Sequence, residues 1–108
     1  MNHNISVLAA DDHPILLKGL KDELINLGYN VLDGAVNGAQ ALEIIVSKKP
    51  QIAILDINMP FLTGFEVIQK CQSESIKTKF IILTYHKEKG FVLKSKKMNI
   101  SGYLLKDE

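Results

Sequence analysis

The chain predicts an α/β fold, a parallel sheet of five short strands with helices packed on both faces. Three observations lead there. Short apolar runs alternate with segments of helical period, which is the signature of consecutive βαβ units. Two of those runs, Ile5-Ser6-Val7-Leu8-Ala9-Ala10 and Gln51-Ile52-Ala53-Ile54-Leu55, are each followed at once by aspartate. Polar residues with helix-capping spacing stand between the runs and mark where helices begin.

Taken in order, residues 5–10 form the first strand. Pro14 then suits the first turn of a helix, and Leu17, Leu20, Leu24 and Leu27 lie along one stripe before Gly28 stops it. That stripe should face the sheet. Residues 30–36 predict a weaker strand at a sheet edge. A second helix follows Asn37, which with Gln40 has capping-box spacing, and a third follows Thr63, which pairs with Glu66 in the same way. The run ending at Asp56 is the third strand. Phe80-Ile81-Ile82-Leu83 and Tyr103-Leu104-Leu105 are the fourth and fifth, each apolar enough to be covered on both faces. Between them Lys87, Lys89, Lys94, Lys96 and Lys97 make a basic fourth helical region. A solvated face explains those lysines best, with a docking surface for acidic partners as the sharper alternative.

Composition narrows the function classes. At 108 residues the chain suits one domain, and a net charge of +1 is no polybasic signature. Neither a recognition helix nor an aromatic stacking surface is apparent, so nucleic-acid binding by this chain alone is not expected. Its single cysteine, Cys71, has no partner for an internal disulfide, and a free core thiol fits a reducing compartment. No apolar stretch reaches the ~18 residues of a membrane span, and Met1-Asn2-His3-Asn4 lacks the pattern of a secretion signal. The expectation is a soluble cytoplasmic protein with no membrane partner.

Neighbouring parallel strands finish at the same edge of a sheet, so Asp11, Asp12 and Asp56 are expected to converge. Two carboxylates about 4 Å apart repel by roughly 4 kcal/mol at an effective dielectric near 20, and an oxygen-seeking ion such as Mg²⁺ is the expected occupant. Thr84 directly follows the fourth run and Lys106 the fifth, which aims a hydroxyl and an ammonium at the same edge. Such a set suits phosphoryl transfer. Asp56 could attack phosphorus, Mg²⁺ could neutralise the developing charge, and Thr84 with Lys106 could bind the transferred group. Asp11, Asp12, Asp56, Thr84 and Lys106 each also have a plainer reading as a turn carboxylate or a strand end, against which the constellation favours the site; for Tyr103 a packed core aromatic weighs equally with a functional one. His13, beside two aspartates, resembles a metal ligand, but Mg²⁺ prefers oxygen and Pro14 points to a helix entry, so His13 is assigned no catalytic role.

These residues resemble the receiver domains of two-component response regulators, and the similarity covers essentially the whole chain. It rests on Val7-Leu8-Ala9-Ala10-Asp11-Asp12-His13-Pro14, Asp56-Ile57-Asn58-Met59-Pro60, Leu83-Thr84 and Gly102-Tyr103-Leu104-Leu105-Lys106, in the family's order and spacing. Asn37-Gly38 with Ala41-Leu42, together with the start and end motifs, looks most like the branch that carries a C-terminal LuxR/NarL-type helix-turn-helix. The resemblance implies a flavodoxin-like sheet of strand order 2-1-3-4-5. It also implies that Asp56 accepts a phosphoryl group from a phosphohistidine of a sensor histidine kinase. Asp12 and Asp56 would ligate Mg²⁺, Asp11 would act mainly through water, and the Asn58 carbonyl would supply another oxygen. Thr84 and Lys106 would hold phosphoryl oxygens, and Tyr103 would change rotamer as the last strand rearranges. The output would be a shifted population.

Three departures from that family carry expectations. Tyr85 is bulkier than the residue usual after the switch threonine and is expected to slow loss of phosphate, so that Tyr85→Ala speeds it. Asn99 and Ile100 stand where a Gly-Ala pair is usual, and Asn tolerates a left-handed helix end. The chain stops at Glu108, before the family's fifth helix, so residues 1–108 read as a C-terminally truncated receiver domain lacking its output domain. One bared sheet face would then favour a homodimer, and DNA would be reached only through the absent output domain. The chain is thus expected to be a self-phosphorylating signalling domain rather than a metabolic enzyme. A Mg²⁺-dependent phosphohydrolase with an aspartyl nucleophile is the alternative, although Asn58 replaces its second aspartate and no cap segment encloses a substrate. A receiver-like module that never takes phosphate is a further rival, against which the full set of acid, hydroxyl and lysine stands.

Overall fold

Order along the computed structural model alternates between strand and helix, and residues 4–84 and 100–105 are described, without the side chains of 84 and 103–105. β1 (Ser6–Ala10), α1 (Pro14–Asn26), β2 (Asn30–Val31), α2 (Gly38–Lys48), β3 (Ile52–Asp56), α3 (Gly64–Ser73), β4 (Lys79–Thr84) and β5 (Gly102–Leu105) succeed one another. All pairings are parallel. The order runs β2-β1-β3-β4, with the backbone of β5 beside β4. The basic region with Lys87, Lys89, Lys94, Lys96 and Lys97 lies outside the described residues, as do Tyr85, Asn99 and Lys106.

The two sheet faces bury different helices. On one face Leu8, Ala10, Ala53, Leu55, Phe80 and Ile82 pack with Ala41 and Ile45 of α2 and Val67, Ile68 and Cys71 of α3. Ile100 packs against the same cluster. On the other face Val7, Ala9 and Ile54 meet Leu17 and Leu24 of α1. Strand residues therefore alternate between two buried sides, which is why their sequence is continuously apolar. Burial is less complete on the α1 side, where Ile52, Ile81 and Leu83 are only partly covered by the described residues.

Local chemistry sets the helix ends. Pro14 opens α1, and Gly28, at φ 93°, closes it with Tyr29 N–H donating to Leu24 O and Gly28 N–H to Ile25 O, a Schellman ending that glycine favours. Leu27 is a correction: it is 60% exposed, because the helix ends at Asn26 and the reversal at Gly28 turns Leu27 off the buried stripe. Thr63 and Glu66 form the full capping box, with Thr63 N–H donating to Glu66 Oε1 at 2.9 Å and Glu66 N–H to Thr63 Oγ1 at 3.2 Å. At α2 only half of it appears. Asn37 Oδ1 accepts from Gln40 N–H at 2.8 Å, while Gln40 Oε1 takes the N–H of Val36 rather than that of Asn37.

The edge strand is shorter than residues 30–36. Only Asn30 and Val31 form β2; Asp33 and Gly34 interrupt it, and a single bridge between Ala10 and Ala35 resumes the pairing. That bridge also anchors the backbone where β1 gives way to the acidic pair, since Ala35 O accepts the N–H of Asp11 at 3.0 Å.

Candidate metal centre

Strand register brings the acids level. Ala10 pairs with Leu55, so Asp11 and Asp56, each the next residue, leave the sheet side by side. Asp56 in turn pairs with Leu83, which puts Thr84, the last residue of β4, at that same edge. Asp11 and Asp56 are almost wholly buried, whereas Asp12 remains partly open to solvent. One oxygen from each of Asp11, Asp12 and Asp56 and one ring nitrogen of His13 lie within 4.8 Å of one another.

The imidazole is the unexpected member of this group. His13 Nδ1 is 3.0 Å from Asp11 Oδ1 and 3.1 Å from Asp12 Oδ1, and the His13 backbone N–H also donates to Asp11 Oδ1 at 3.0 Å. A ring nitrogen carries at most one hydrogen, so it cannot serve both acids. Among the described residues, Asp12 Oδ1 is the one left buried without a hydrogen bond. Withholding water and donors from a carboxylate oxygen is costly, and a cation against it removes that cost. Three hard oxygen donors around such an atom fit Mg²⁺.

The segment after β3 is built to hold Asp56 in place. Gly64, the first residue of α3, approaches so closely that a methyl group there would stand 2.5 Å from Asp56 O, and its N–H donates to Ile57 O at 2.9 Å. Gly38 plays the matching part on α2: its N–H donates to Pro60 O at 3.1 Å, and a side chain there would collide with the backbone of Leu62. Between them Phe61 adopts a positive φ of 73° with its ring exposed, a conformation that bulky residues take only under constraint. Asn58 is exposed on this segment, two residues beyond Asp56.

Of the expected site residues, Asp11, Asp12 and Asp56 are brought together, and Thr84 ends its strand at the same edge. Tyr103 takes part in β5 through its backbone, opposite Ile82. The side chains of Thr84 and Tyr103, and Lys106 altogether, lie outside the described residues. Sequence reasoning missed Gly38 and Gly64, whose only signal is glycine directly after a cap residue, where helix propensity favours almost anything else. It missed the reach of His13 as well.

Known proteins share this architecture. The family model for the response regulator receiver domain matches residues 7–108. The nitrate/nitrite response regulator protein NarL of Escherichia coli strain K12 is 34% identical over 104 residues, covering 94% of this chain and 48% of that protein. The probable transcriptional regulatory protein NarL of Mycobacterium tuberculosis H37Rv is also 34% identical, with 95% and 48% covered. The chain thus spans about half the length of these curated relatives. Among solved structures, the signal receiver domain of the M. tuberculosis response regulator NarL superposes with a TM-score of 0.90 at 32% identity, covering 96% of this chain and 85% of that one. A LuxR-family DNA-binding response regulator from Staphylococcus aureus gives 0.88 at 31% identity, with 96% and 88% covered.

Proposed function

This chain belongs to the response regulator receiver domain family, and from that premise we propose that Asp56 is its phosphoacceptor, charged from a phosphohistidine of a sensor histidine kinase. The observation that carries the reading is the meeting of Asp56 with Asp11 and Asp12 at one sheet edge. An Asp56 oxygen forms the new bond to phosphorus as the bond to the kinase imidazole breaks, leaving an acyl phosphate. Asp11, Asp12, Asp56 and the Asn58 carbonyl would hold Mg²⁺. Bound there, the ion offsets the charge that develops on the phosphoryl oxygens.

The remaining roles belong to the chain itself. Burial of Asp56 keeps bulk water from the acyl phosphate, and the close backing of Gly64 fixes the carboxylate's position. Thr84 and Lys106 bind phosphoryl oxygens, and Tyr103 follows as a rotamer change in β5. The altered surface of the last strands biases the population toward an active form. The relatives are named as response and transcriptional regulators, which supports a DNA-binding output for the whole protein.

Intact mass after incubation with acetyl phosphate and Mg²⁺ tests the reading. One added phosphoryl group is expected, lost in Asp56→Asn. Incorporation that survives this substitution would place the acceptor elsewhere, and steady turnover of phosphate esters would indicate a hydrolase instead.

A further inference from the structure

His13 is the one member of the cluster for which the phosphoacceptor reading has no use. We propose that His13 is a metal ligand through Nδ1, adding one nitrogen to the oxygen donors of the site and raising its affinity for divalent transition cations, Mn²⁺ among them, relative to Mg²⁺. This rests on the reading that the acids hold a divalent ion.

Geometry supports it. Octahedral coordination with bonds of about 2.1 Å places adjacent ligand atoms about 3.0 Å apart and opposite ones about 4.2 Å apart. His13 Nδ1 stands 3.0 Å from Asp11 Oδ1 and 3.1 Å from Asp12 Oδ1, which are adjacent-ligand spacings, and the full set with Asp56 lies within 4.8 Å. One ion at the centre would be reached by all four with small movements. The ring needs no refolding, because the His13 N–H bond to Asp11 Oδ1 already holds the residue over the acids.

Ligand chemistry sets the direction of the preference. Mg²⁺ accepts oxygen almost exclusively and keeps several waters, whereas imidazole binds the later divalent ions with rising strength. A carboxylate set alone would take Mg²⁺ and Mn²⁺ alike. Adding a nitrogen at an adjacent-ligand position favours Mn²⁺ and its neighbours. When the ion binds, it replaces hydrogen at Nδ1, and the remaining ring hydrogen sits on Nε2 of the half-exposed ring.

Pulsed electron paramagnetic resonance of the 108-residue chain loaded with Mn²⁺ alone tests this, alongside Mn²⁺ and Mg²⁺ titrations of wild type and His13→Ala. The wild type is expected to show the nitrogen coupling of a directly bound imidazole. His13→Ala should lose it and weaken Mn²⁺ by about tenfold or more, with Mg²⁺ affinity within about twofold of wild type. A Mn²⁺-loaded wild type without nitrogen coupling overturns the inference and leaves the phosphoacceptor reading standing. Coupling in a protein that cannot be phosphorylated would do the reverse. Equal weakening of both ions by His13→Ala also overturns it, since that marks His13 as a support for Asp11 and Asp12 rather than a ligand.

Discussion

Gly64 presses against the backbone carbonyl of Asp56 so closely that no side chain fits between them. The oxygen in question is backbone at the end of β3, with no flexible tip that could yield. Gly64→Ala must therefore displace either the strand end or the start of α3, and a loss of about 1–3 kcal/mol is expected by denaturant unfolding. Because the displaced residue is the proposed acceptor, phosphate incorporation should fall as well. An alanine variant of wild-type stability and reactivity would show that the contact is not a constraint.

With Mg²⁺ held by the clustered acids as proposed, the stability of the folded chain should depend on the cation. With free Mg²⁺ at about ten times its dissociation constant, linkage predicts about 1.4 kcal/mol of added stability, read as a rise in melting temperature. Asp12→Ala should remove most of that response. In Mg²⁺-free buffer the same variant should be at least as stable as wild type, because it relieves repulsion and deletes a buried Oδ1 that has no hydrogen bond among the described residues. A Mg²⁺ response equal in both proteins would contradict the assignment of Asp12 as a ligand.

Cys71 gives a pH dependence unrelated to the site. Its thiol is fully buried between α3, which carries it, and the sheet, and is pushed up to about 11 from an ordinary 9.0, first by burial and second by the negative charge of Glu74. The unfolded chain thus releases this proton at lower pH than the folded one. Stability from this group is complete below about pH 9 and is lost as pH rises toward 11, by up to about 3 kcal/mol. Unfolding compared at about pH 8 and about pH 10.5 should show a steeper fall for wild type than for Cys71→Ala. Parallel slopes would contradict it.

Local chemistry decides the parts of the fold that are legible in the sequence. Thr63 with Glu66 announces α3 through a bond pair contained within four residues, and Gly28 announces the end of α1 through its own backbone freedom. The convergence of Asp11, Asp12 and Asp56 is readable because strand ends in a parallel sheet share an edge, so one topological rule places three side chains. Tertiary neighbours decide the rest. Nothing within residues 37–40 says that Gln40 will bond Val36, and nothing near Gly38 names Leu62 as the residue it must clear. Residues 30–36 carry strand-like apolar character, yet Asp33 and Gly34 split the pairing with β1. The preference of Mg²⁺ for oxygen sets His13 aside, and that reasoning cannot foresee a backbone bond to Asp11 holding the ring over both acids.

The most direct test of Asp56 as acceptor is reductive trapping. Protein phosphorylated by acetyl phosphate with Mg²⁺ is treated with borohydride, which converts an aspartyl acyl phosphate to homoserine, and the peptides are then sequenced by mass. Homoserine at position 56 alone, dependent on both phosphodonor and Mg²⁺, is the predicted result. Homoserine at Asp11 or Asp12, or at no position in a protein shown to bind the ion, would contradict it.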